Sequence, residues 1–150
     1  MKPSDPITSS PLTNLSISSI PTPRHSDAPD ANLYEYAVIQ YVPRVERGEF
    51  INIGLIMMCK RRKWIHAHIM IDEKRVLALA PHADMALLRR QSQLFLYRDV
   101  PERDLPVEET YRWLTAAKSA ILKTSPSHPG IATDTMEQTF INLFNELVTV

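Results

Sequence analysis

Hydrophobic positions along the chain follow two different periods, and the first third of the folded region follows the shorter one. Leu33 to Val42 is rich in Tyr, Val and Ile and stops at Pro43, which lacks a backbone donor, so a first strand is predicted there. Phe50 to Cys59 is apolar at both parities apart from Asn52 and Gly54, the pattern of a strand covered on both faces or central in its sheet. Trp64 to Asp72 alternates, with Ile65, Ala67, Ile69 and Ile71 on one side and Trp64, His66, His68 and Met70 on the other. Two hairpins follow: one joined by a connector of mixed charge from Arg44 to Glu49, the other tipped by Lys60, Arg61, Arg62 and Lys63. Charge at such a tip solvates a turn and discourages edge pairing.

The period then lengthens. Pro81 suits the first position of a helix running to about Leu96, with Leu87, Leu88, Leu94 and Phe95 in one stripe. A second helix opens at Asp104 or Leu105, with Glu108 and Glu109 near the positive end of its dipole and Val107, Tyr111 and Leu114 forming its apolar stripe. Ser119 to Thr124 alternates again and stops at Ser125-Pro126, which predicts a short fourth strand, with a continued helix as the alternative. Asp134 with Glu137 forms a capping-box pattern ahead of a stripe of Met136, Phe140, Leu143 and Leu147. The predicted fold is α+β: a three- to four-stranded antiparallel sheet covered on one face by about three helices.

Composition adds a boundary. Residues 1–32 are Ser, Pro, Thr and Asn with isolated apolar residues, and they hold half of the 12 prolines; such a segment buries too little to offset its ordering entropy. A disordered tail over 1–32 and a single domain over 33–150 are expected. Lys plus Arg and Asp plus Glu number 17 each, so no global field draws the chain onto nucleic acid or an anionic membrane. No apolar run approaches the ~20 residues that span a bilayer, and Pro6, Pro11 and several serines interrupt any signal-peptide pattern. The single Cys59 makes no internal disulfide and fits a reducing, cytoplasmic setting.

Candidate chemistry is sparse. The three glycines, Gly48, Gly54 and Gly130, are not spaced as a phosphate loop or dinucleotide fingerprint, and no serine elbow, CxxC or HExxH occurs, so no cofactor is expected and an enzyme is disfavoured. His66 and His68 share one strand face ~6.5 to 7 Å apart, but zinc needs three or four convergent ligands and nothing nearby in the sequence supplies them; no metal is expected. The connector holds Arg44, Glu46, Arg47 and Glu49. One reading makes the connector a solvated turn whose alternating charges neutralise each other; the other rests on Asn52, an amide in an apolar strand that needs local partners, and makes these five residues a candidate polar network at the sheet end.

A family resemblance rests on those residues. Tyr34-x-Tyr36-x-Val38-Ile39-x-Tyr41-Val42-Pro43 followed by Arg44-x-Glu46-Arg47-x-Glu49-Phe50-x-Asn52-Ile53-Gly54 resembles the opening signature of a bacterial domain family of unknown function, the short "VERGEFxNxG" proteins. The likeness continues through Arg112 to Ala116, Lys118-Ser119, Ser125-Pro126-x-His128-x-Gly130 and Leu143-Phe144-x-x-Leu147-Val148. It departs at Ala117 and Leu122, where the family is often more polar or proline-bearing. The resemblance implies a small cytoplasmic protein encoded beside a HipA-like kinase, with that kinase as candidate protein partner. It also implies polar positions at Lys118, Ser119 and His128 beside those of the connector. The expected function is a noncatalytic protein-binding or adaptor module. The alternative is a small enzyme or binder of a phosphate-containing ligand or nucleotide, with Arg44, Arg47 and Lys118 as anion contacts and Glu46, Glu49 or His128 as acid or base.

Overall fold

A computed structural model describes residues 29–96, 105–116 and 119–149. Three long antiparallel strands, β1 (Leu33–Tyr41), β2 (Ile51–Cys59) and β3 (Trp64–Ile69), form the sheet in the order β3-β2-β1. The far edge of β1 carries two short strands end to end. β4 (Leu122–Thr124) lies opposite Ile39 to Tyr41, and β5 (His128–Ile131) lies opposite Leu33 to Tyr36. Ser125 spans the break between them. Its N–H donates to the Val38 carbonyl at 2.8 Å and its Oγ accepts the Val38 N–H at 2.9 Å, so both backbone groups of Val38 stay satisfied where Pro126 interrupts the strand.

The helices are α1 (Glu73–Leu79), α2 (Met85–Ser92), which a single 3-10 turn (Gln93–Phe95) extends, α3 (Val107–Thr115) and α4 (Met136–Leu147). The antiparallel α+β class predicted from the sequence holds, with three refinements. The strand after Trp64 ends at Ile69, short of the predicted Asp72, because Asp72 caps α1, its carboxylate accepting the N–H groups of Lys74 and Arg75. Pro81 lies in the turn between α1 and α2, and α2 starts from Asp84, whose carboxylate accepts the Leu87 N–H. α4 is capped by Thr135, whose hydroxyl accepts the Gln138 N–H, while Asp134 accepts the Thr135 N–H. At the other end, Pro29–Asn32 forms a 3-10 turn, and its buried Ala31 presents a carbonyl to Arg62 Nε at 3.1 Å. The described residues therefore begin a few positions before the predicted boundary, and the rest of the expected tail, residues 1–28, lies outside them.

Helices lie on both faces of the sheet rather than one. Leu55, Met57 and Cys59 of β2 pack with Val38 against Met136, Phe140 and Phe144 of α4. The intervening Ile56 and Met58 pack with Ala37 and Ala67 against Tyr111 and Leu114 of α3. Alternate residues of a strand face opposite sides, so β2 is buried on both, which explains its apolar character at both parities. Further along, Ile51 and Ile53 join Ile39 and Tyr41 under Val76 of α1, Leu88 of α2 and Phe95. A bulge makes the change. Ile39 stands opposite Gly54 and Gln40 opposite Asn52, leaving Ile53 as the extra residue that inverts the alternation.

Candidate functional site

The mixed-charge connector folds into a 3-10 turn (Val45–Arg47) closed by Gly48 at φ 69°, a left-handed conformation that a glycine adopts without strain. Arg44 Nε donates to Glu46 Oε1 at 2.7 Å. Arg47 grips Glu49 with both arms, Nε to Oε1 at 2.6 Å and Nη2 to Oε2 at 3.2 Å. These partners hold the Glu49 carboxyl below the usual carboxylate range through the Arg47 hydrogen bond, and that of Glu46 through a backbone hydrogen bond and then Arg44. Each arginine is thus neutralised within the turn, and all four side chains stay largely in solvent.

The turn forms one wall of a cleft of about 620 Å³. The opposite wall is the α1–α2 turn with Leu79, Pro81 and His82, and the floor is Tyr41 and Pro43. Arg44, Arg47 and Glu49 line it. The floor is apolar and the rim carries paired charge. Val45 and Phe50, on the same connector, are 69% and 48% exposed.

The other predicted residues are not gathered here. Asn52 turns to the α4 face, where its Nδ2 donates to the Leu147 carbonyl at 3.0 Å; its Oδ1 is buried without a partner among the described residues. The bulge at Ile53 puts Asn52 on the face opposite Tyr41, so the expected network of Asn52 with the connector is not formed. Ser119 Oγ accepts the N–H groups of Ile121 and Leu122 and so shapes the entry to β4. His128 pairs with Tyr36 in register, and the two rings lie tilted with their centres 5.4 Å apart. Five steps along β1 separate Tyr36 from Tyr41, roughly 17 Å at strand rise, which sets His128 at the other end of the sheet. Lys118, like Ala117, lies outside the described residues. His82 was missed as a site residue because no local pattern ties it to the connector; only the α1–α2 turn brings it there.

The pattern of these residues decides the family. A model described as "Protein of unknown function (DUF3037)" matches residues 36–148, from within β1 through the connector to the end of α4. The chain belongs to DUF3037. No curated protein and no solved structure matches it. The matched span includes the connector, Asn52, the cleft wall and His128 of this DUF3037 chain. Among the described residues, no group of three or more His, Cys, Asp and Glu side chains could hold a metal ion, and no helix is long and apolar enough to cross a membrane.

His66 and His68 sit on the α4 face. The His66 ring meets Phe140 edge-on at 4.7 Å and His68 lies 5.0 Å from Phe144. Burial and then the neighbouring His68 push the His66 imidazole below its ordinary value, with Glu137 opposing. A depressed histidine binds fewer protons folded than unfolded, so its contribution is present above the ordinary imidazole range and lost as the pH falls through the lowered value. Urea midpoints should therefore fall on acidification through this window, and His66→Phe should flatten the fall; an unchanged profile in that variant would show that His66 is not responsible.

Proposed function

We propose that this chain is a noncatalytic protein-binding module of the bacterial cytoplasm and that the connector with its cleft is the docking surface. The observation that supports this best is the combination of an apolar floor, Tyr41 and Pro43 with Leu79 and Pro81 beside them, and a rim whose charges are already paired. Protein interfaces combine an apolar centre with a polar rim, and exposed Val45 and Phe50 are anchors of the kind that a partner's pocket receives. The self-neutralised turn also answers why charge of both signs joins two apolar strands: it holds the connector's shape without creating a field. The HipA-like kinase implied by the sequence resemblance is the partner to test first. In calorimetric titration against it, Val45→Asp and Phe50→Asp should weaken binding at least tenfold. Arg47→Ala should do the same with an unchanged unfolding midpoint, because its ion pair is exposed. Stability loss at Arg47 with binding intact would overturn this assignment.

A phosphate-containing ligand is the second reading, favoured by Arg44, Arg47 and His82 lining one cleft. Inorganic phosphate and nucleotides in a thermal-shift titration separate the two. A ligand at 100 times its dissociation constant stabilises by about 2.7 kcal/mol, and such a shift without kinase binding would favour the anion.

A further inference from the structure

β3 is the outermost strand of the sheet on its side, and no described strand pairs with its far edge. Met70 N–H donates to the Ile53 carbonyl at 2.7 Å while Ile69 stands opposite Gly54, so Ile69 is a non-hydrogen-bonded position. In the unbroken register that follows, Trp64, His66 and His68 exchange backbone bonds with β2. The N–H and C=O groups of Ile65, Ala67 and Ile69 therefore point outward. Nothing in Trp64–Ile69 blunts that edge: there is no proline, no Lys, Arg, Asp or Glu, and no break in register.

The sequence of this edge reads the same in both directions about its centre: Ile65-His66-Ala67-His68-Ile69. We infer that the β3 edge pairs with the β3 edge of a second copy of this chain, antiparallel about a two-fold axis at Ala67. In that register Ala67 faces Ala67 of the other copy, Ile65 faces Ile69, and His66 faces His68. The backbone groups of positions 65, 67 and 69 are the ones an antiparallel pair in this register uses, so every outward donor and acceptor finds a partner. An isologous interface needs a patch complementary to itself, and a palindromic strand supplies it. The same two-fold brings the Lys60–Lys63 tip of one copy toward the start of α1 in the other, where Asp72 and Glu73 are followed by Lys74 and Arg75, so backbone pairing and the palindrome carry the inference rather than charge. Trp64 comes opposite Met70, an exposed apolar side chain, and exposed Ile141 lies beside the edge in a cavity with Ile65 and His66. The pairing would join two sheets into one and leave both connector clefts, at the far ends of β1, open.

A charge swap tests both the interface and its register. The full-length chain should show twice its monomer mass by light scattering in the micromolar range. His66→Lys with His68→Lys in one variant, and His66→Glu with His68→Glu in another, place like charges opposite each other and should each weaken dimerisation at least tenfold. Mixing the two should restore a dimer containing one of each, because Lys then faces Glu at both positions. Both histidines are exposed overall but rest their rings on Phe140 and Phe144, so circular dichroism of each variant checks that it folds. A parent chain that stays monomeric into the millimolar range overturns the inference. So do variants that dimerise like the parent, and monomeric variants whose mixture stays monomeric.

Discussion

Phe95→Ala should lower the unfolding free energy by about 3 to 5 kcal/mol, the range for truncating a buried aromatic ring. Phe95 is 0% exposed although it sits in a single 3-10 turn after α2. Its ring packs among Ile39, Tyr41, Ile51, Ile53, Val76, Leu88 and Leu122, which belong to three strands and two helices. The strands on one side of the space it would leave are fixed by pairing to β3 and β4, so the space closes poorly. Functional consequences should follow, because Phe95 shares its cluster with Tyr41, the cleft floor, and with Val76 of α1, whose end forms the opposite wall. Urea denaturation should show a lower midpoint at unchanged slope, and binding at the proposed docking surface should weaken along with it. Leu94→Ala is the control. Its side chain is exposed, and surface changes of this kind stay within about 0.5 kcal/mol. A loss at Phe95 no greater than that at Leu94 would mean that the turn is not docked.

That contrast shows how far the pattern along the chain reaches. Leu94 and Phe95 belong to one predicted stripe, yet the chain tightens into a 3-10 turn at Gln93, and only Phe95 turns inward. The three long strands and α4 were legible because each repeats its period over enough residues to dominate. α1 was hidden: Met70 and Ile71 continue the strand's alternation into its cap, and seven residues give a helical period little room. β5 was hidden by Pro129 and Gly130, tolerated there because the strand pairs on one side only.

The candidate site suffered most from a single residue. Counted back from Met58 and Ile56 by simple alternation, Asn52 falls on the α3 face, the face of Tyr41 and the cleft, and a bond to the connector looks natural. The bulge at Ile53 reverses that, and nothing in an apolar run marks which residue is the extra one. The connector's own pairing was nearer the surface of the sequence, since Arg44 with Glu46 and Arg47 with Glu49 are each two apart and need only a tight turn to meet.

Gly54→Ala should cost about 1 to 3 kcal/mol, the range for forcing an extra carbon into a filled space, and Gly54→Val should cost more. A Cβ at this position would lie 2.7 Å from the His68 carbonyl oxygen and 3.2 Å from both Ile39 Cδ1 and Ile69 Cγ1. The nearest of these is backbone. Relief requires β3 to move away from β2, or the bulge at Ile53 to relax, because rotating a side chain does not displace a carbonyl. Either movement disturbs the one ladder that holds β3 among the described residues, and with it the set of backbone groups that β3 turns outward. The substitution should therefore weaken the proposed self-association as well as stability, whereas Phe95→Ala, which touches no backbone group of the β3 edge, should leave that association of folded molecules intact. Urea denaturation and light scattering of Gly54→Ala check both effects. A variant as stable as its parent would show that the β2–β3 contact yields easily there, and that the glycine is not what keeps the two strands in close approach.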